Sequence, residues 1–144
     1  MNKIFALKIL GVITLLSTLL FFGNLTSRHN SNVLGDTSSF SSLTPAQLGK
    51  ALNSGNYTLI DVRTSDEYNA GHLKNAKQAD YYQTQKFSDY LDSLNKDSNY
   101  LIYCRSGGRS SKVMQIMQDK GFVNAYDMSG GYNSWIADGL PTEK

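Results

Sequence analysis

A lone cysteine, Cys104, opens the run Cys104-Arg105-Ser106-Gly107-Gly108-Arg109-Ser110, and its neighbours are of the kind that turn a thiol into an anion. Arg105 and Arg109 bring two full positive charges. Gly107 and Gly108 permit backbone conformations that aim successive N–H groups inward as an anion cradle. Val113, Met114, Ile116 and Met117 fall at helical spacing, so a helix starts within the loop and adds unsatisfied N–H groups and partial positive charge. Cysteines in such settings have pKa values lowered by about one to several units, which makes the thiolate abundant at neutral pH. One cysteine cannot form an intrachain disulfide, so Cys104 is either a buried inert thiol or a reactive one. A phosphate-type anion loop with an incidental cysteine, or a plain glycine turn, are the structural alternatives. The flanking charges favour a nucleophile.

The surrounding pattern shows how such a loop is held. Thr44-Pro45 reads as an N-cap and first helical turn, with Leu48, Ala51 and Leu52 on one face and a stop at Gly55. Residues 57–62 form a short apolar strand. Thr64 or Ser65 caps a brief helix through Tyr68, and a weaker strand follows over 76–79. Phe87, Tyr90, Leu91 and Leu94 repeat at helical spacing. Residues 100–103 are the second clear strand, with Cys104 at its carboxyl end. After the loop helix, closed by Lys120 and Gly121, residues 123–128 form another strand. Gly130-Gly131 opens a last helix carrying Trp135 and Ile136, ended by Gly139 and Pro141. Strands alternating with helices predict an α/β domain with a largely parallel sheet, whose ligands bind beyond the strands' carboxyl ends. Cys104 lies at such an end.

These residues resemble the rhodanese family. The loop CRSGGRS has that family's pattern of Cys, four intervening residues and Arg, then Ser opening a helix. Asp61-Val62-Arg63, Glu67-Tyr68 and Gly71-His72-Leu73 are similar to its DVR, EY and GHI signature. Gly121-Phe122, Ser129-Gly130-Gly131-Tyr132, Trp135 and Gly139-Leu140-Pro141 are similar to its closing segment. The resemblance spans residues 43–141 and implies a five-stranded, mostly parallel sheet with helices on both faces. It also implies a sulfurtransferase, in which Cys104 takes the outer sulfur of thiosulfate or a persulfide donor, releases sulfite from thiosulfate, and passes the sulfur to cyanide or a thiol. Neither a cofactor nor a metal is implied. A non-enzymatic sulfur-carrier or partner-binding module is the alternative. Related phosphatases have one more residue between Cys and Arg, which disfavours that activity here. Asn75 departs from the usual Gly, and Asp80-Tyr81 from an apolar-Pro pair, which puts the exit of the 76–79 strand in question.

Around Cys104, Ser106, Gly107 and Gly108 supply backbone donors, and Arg105 and Arg109 are candidates for holding the donor's sulfonate. Arg109 has the alternative role of bracing the loop from within. Asp61, Arg63 and Glu67 are expected to support the site, with Asp61 accepting backbone hydrogen bonds and Arg63 ion-paired to Glu67. His72 reads as a hydrogen-bonded scaffold residue, with no second ligand beside it for a metal, and Trp135 as core.

Upstream, Lys3 and Lys8 precede an uncharged apolar run from Ile9 to Phe22, the pattern of a signal peptide or an N-terminal membrane anchor over residues 1–24. Charge before the run predicts an exported, extracytoplasmic domain, attached to the membrane only through residues 1–24 if they are uncleaved. Residues 25–42, rich in Ser, Asn and Thr, read as a flexible linker. From Leu43 onward eleven Lys or Arg balance eleven Asp or Glu. That near-neutrality leaves no basic stripe for nucleic acid.

Overall fold

The computed structural model describes residues 39–144, so the expected signal peptide or anchor lies outside the described residues. In chain order the elements are β1 (Ser39–Leu43), α1 (Pro45–Asn53), β2 (Thr58–Asp61), α2 (Ser65–Asn69), β3 (Lys77–Gln78), α3 (Thr84–Asp92), β4 (Asn99–Tyr103), α4 (Gly108–Asp119), β5 (Asn124–Met128) and α5 (Gly131–Ala137). The five strands form one sheet in the order β1-β5-β4-β2-β3, and every pairing is parallel.

The period of two along each strand divides the apolar residues between two cores. Ile60, Tyr100, Ile102 and Ala125 face Phe87 and Leu91 of α3 and Val113 and Met117 of α4. Leu59, Leu101, Tyr103 and Met128 face the other way, onto Leu48 of α1 and Trp135 of α5. Each fully buried Leu or Ile contributes about 1.5–3 kcal/mol. The sheet is therefore sandwiched, as parallel sheets must be.

Local signals account for the helix starts. The Thr44 hydroxyl accepts from Gln47 N–H while the Gln47 side chain accepts from Thr44 N–H, a reciprocal cap with Pro45 just inside. Asn75 takes φ +63°, a left-handed conformation that Asn tolerates, so it performs the backbone turn expected of Gly. The exit of β3 is intact: Ala79 N–H donates to Asp61 O and Tyr81 N–H to Val62 O.

One boundary moves. Of the linker expected over residues 25–42, residues 39–42 instead belong to strand β1, which pairs with β5 from Ser39↔Asn124 to Leu43↔Met128, and the rest lies outside the described residues. Its sequence, SFSSL, lacks an apolar run. It is an edge strand, so main-chain hydrogen bonds and Phe40, packed on the α3/α4 core, suffice to dock it.

β4 and β5 end on one rim of the sheet, and there α5 closes on the loop after β4. Tyr132 N–H donates to Cys104 O at 2.8 Å and Asn133 N–H to Arg105 O at 3.0 Å. That approach requires Gly131: at φ +60° a Cβ would stand 2.5 Å from Cys104 O and 2.8 Å from Arg105 C and O. Backbone cannot swing aside as a flexible side chain can. Gly131→Ala is expected to lower unfolding free energy by about 2–4 kcal/mol in urea titrations. A change below about 0.5 kcal/mol would show that the two segments are not in contact.

Candidate active site

Cys104 follows the last residue of β4 and is 1 % exposed. The chain then turns through Arg105 and Ser106 to Gly107, whose φ of +98° lets it cap α4 in a left-handed conformation. This turns amides toward the sulfur: Gly107 N–H lies 3.1 Å from Sγ, and the Ser110 hydroxyl oxygen 3.6 Å. Burial pushes the Cys104 thiol up. The N–H and hydroxyl of Ser110 and the N–H groups of Ser106 and Gly107 more than reverse this, leaving the thiol below its ordinary value. Of the backbone donors expected at Ser106, Gly107 and Gly108, Gly107 N–H stands within hydrogen-bonding distance of the sulfur, while no hydrogen bond joins Gly108 to it among the described residues. Gly108 is the first residue of α4.

The two arginines of the loop have different fates. Arg109 is bidentate with Glu67, Nη1 to Oε2 at 2.7 Å and Nη2 to Oε1 at 2.8 Å. Of the two roles open to it, bracing the loop is the one its geometry serves. Arg105 is exposed and makes no ion pair among the described residues, so its charge is free to meet an anion.

The expected Arg63–Glu67 pair does not form. Arg63 instead grips Asp61, with Nη2 2.6 Å from Oδ2 and Nε 3.0 Å from Oδ1 and 2.9 Å from Oδ2, and donates to Gly71 O. Its guanidinium lies 4.0 Å from the Tyr132 ring centroid and 5.4 Å from that of Tyr103. Asp61 also accepts Arg63 N–H, as expected of it. Glu67 is drawn away because Thr64 caps α2 and Glu67 closes the capping box from the third helical position, which leaves it facing α4. The Thr64-x-x-Glu67 spacing carried that signal. His72 behaves as scaffold, Nδ1 against Tyr68 O at 3.1 Å, and Trp135 is core.

Two participants, Asp127 and Ser42, had no motif to mark them, while Ser110 closes the loop motif. Ser110 Oγ lies 3.0 Å from Gly107 O and 3.4 Å from Asp127 Oδ2, and Asp127 also accepts from the Ser42 hydroxyl. Ser42 stands opposite Asp127 in the register of β1 on β5, a relation visible only once β1 is a strand. Two cavities lie away from Cys104, one of about 240 Å³ lined in part by Tyr90 and one of about 690 Å³ lined in part by Trp135.

A family model, Rhodanese-like domain, matches residues 44–138. The chain belongs to the rhodanese-like family. It is 33 % identical over 93 residues to thiosulfate sulfurtransferase 16, chloroplastic, of Arabidopsis thaliana, covering 58 % of this chain and 78 % of the relative. It is 25 % identical over 104 residues to thiosulfate sulfurtransferase GlpE of Actinobacillus pleuropneumoniae, covering 72 % and 94 %. The crystal structure of a rhodanese-like domain protein from Staphylococcus aureus is 33 % identical, with TM-score 0.60, covering 72 % of this chain and 99 % of that one. The parallel five-stranded architecture is thus that of the rhodanese fold.

In this rhodanese domain the Glu67–Arg109 clamp has a pH signature. The Arg109 guanidinium holds the Glu67 carboxyl at about 2, below its ordinary range near 4.5. Its folded value is depressed, so its stabilisation is complete above the unfolded value and drains away as pH falls from about 4.5 to about 2. Partial exposure limits the contribution to about 1–2 kcal/mol. Glu67→Gln is expected to remove that amount at neutral pH and to flatten the stability profile across this acid window. An unchanged profile by chemical denaturation would rule the clamp out.

Proposed function

We propose that this protein is a sulfurtransferase that carries sulfane sulfur as a persulfide on Cys104. The observation carrying this reading is the Cys104 sulfur at a strand's carboxyl end, surrounded by the N–H groups of Ser106, Gly107 and Ser110. Its relatives' names, thiosulfate sulfurtransferase, support thiosulfate as a donor.

The Cys104 thiolate attacks the outer sulfur of thiosulfate. A new S–S bond forms, the old one breaks, and its electron pair leaves with sulfite. The charge passes to the terminal persulfide sulfur, and the amides that lower the thiol stabilise this anion without reorganising. Cyanide then attacks the outer sulfur, departs as thiocyanate, and returns the electron pair to Cys104; a thiolate acceptor reacts likewise. With Arg109 bound to Glu67, Arg105 is the residue assigned to the donor's sulfonate. The leader at residues 1–24 supports an extracytoplasmic place of work.

The full-length chain treated with thiosulfate is expected to gain the mass of one sulfur atom, and with cyanide added to make thiocyanate. Cys104→Ser should do neither. Arg105→Ala should raise KM for thiosulfate about tenfold with kcat little changed. Wild-type protein that never gains the extra sulfur would end this reading. A reporter fused after Lys144, active only outside the cytoplasm, tests the location; an inactive fusion rejects it.

A further inference from the structure

The Ser110 hydroxyl has one proton and three acceptors within reach. They are Gly107 O at 3.0 Å, Asp127 Oδ2 at 3.4 Å and Cys104 Sγ at 3.6 Å. Asp127 sits near the end of β5, 8 % exposed, and its other oxygen is occupied by the Ser42 hydroxyl. A carboxylate only accepts, so at Asp127 both contacts draw hydroxyl protons toward it. Among the described residues it is the one carboxylate within hydrogen-bonding distance of Ser110.

We propose that Asp127 is a positioning residue that acts on Cys104 through Ser110, competing for the hydroxyl proton and so limiting how strongly the loop stabilises negative charge on sulfur. This rests on the sulfurtransferase reading and adds a regulator to the same site. The sense follows from the chemistry. When sulfur is neutral, Gly107 O at 3.0 Å and the Asp127 carboxylate at 3.4 Å compete for the proton, and the carboxylate's charge draws it from sulfur. When sulfur is a thiolate or persulfide, two anions contend for it, and whatever Asp127 takes is lost to sulfur. Restraint has a use, since a thiolate's intrinsic nucleophilicity falls as its pKa falls. A loop that stabilised the anion without limit would give an abundant but sluggish nucleophile.

Other charged groups bordering the pair are already committed or turned away. On α4, Arg109 is held by Glu67 and Lys112 is exposed. On β4, Tyr103 is turned to the opposite core, where its hydroxyl accepts Leu73 N–H. β1 carries no titratable residue. α5 brings Tyr132 over Arg63, and Arg105 is exposed in the loop.

The test titrates the Cys104 thiolate in the full-length chain by ultraviolet absorbance and by alkylation rate against pH. Asp127→Asn keeps the shape and removes the charge. It is expected to lower the Cys104 pKa by about one unit and, at pH values where both proteins are fully thiolate, to slow sulfur uptake from thiosulfate roughly threefold. Ser110→Ala should raise the pKa. In the Ser110→Ala background, Asp127→Asn should have less than half its single-variant effect. A pKa that is unchanged or raised in Asp127→Asn overturns the proposal, and so does an equal shift in both backgrounds, which would signal a through-space charge alone. Should Asp127→Asn not fold, Ser42→Ala serves instead. It frees Asp127 to pull harder and should raise the pKa, and no rise overturns the proposal. Wild-type protein that titrates as described yet takes no sulfur would sink the sulfurtransferase reading and leave the Asp127 result standing.

Discussion

Taking a sulfur atom out of water favours its neutral form, and at Cys104 the protein must reverse that preference. It does so with the amides of Ser106, Gly107 and Ser110 and with the Ser110 hydroxyl. Amides can be aimed only by fixing φ and ψ, so the requirement passes from chemistry to fold. Gly107 must be left-handed, α4 must start where it does, and β4 must deliver Cys104 at the rim. Pinning the Cys104 and Arg105 carbonyls to α5 fixes the loop's other side. The sheet, two cores and paired capping boxes keep a handful of N–H vectors pointed at one atom.

Charge is handled with the same economy. Of the charged groups that converge near the loop, Arg109 and Glu67 satisfy each other, and Arg63 and Asp61 do so beneath them with Tyr132 and Tyr103 on the guanidinium. Buried pairs of this kind return little net stability compared with apolar residues, but losing one partner leaves an unpaired buried charge. They fix geometry. Within the loop itself, Arg105 keeps its charge facing solvent.

Most of the fold and the loop around Cys104 were legible in the sequence because each had a local signature. Strands 100–103 and 123–128 are apolar enough to mark themselves, the loop CRSGGRS is contiguous, and Thr44-Pro45 is a cap by composition. What escaped depends on contacts distant in sequence. β1 is polar and becomes a strand only because β5 offers an edge. Asp127 joins the site across 17 residues to Ser110 and across 85 to Ser42, separations that no local pattern reports. The partners of Arg63 and Glu67 were exchanged for a subtler reason: spacing by four across a strand-to-helix turn suggested an ion pair, while Arg63 precedes the cap and points inward, and Glu67 belongs to the cap itself.

The main-chain character of the cradle has an evolutionary consequence. The amides that face the sulfur do not depend on the identity of the side chains at 105 and 106, both of which are exposed. Under the proposed sulfurtransferase reading, those two positions can drift or be redesigned while the amides keep their aim, so a different donor or acceptor is accommodated by changing what lines the entrance. The hidden glycine at 131 has no such latitude. Divergence among such domains should therefore accumulate on the outward rim of the loop and be nearly silent in the turn behind it.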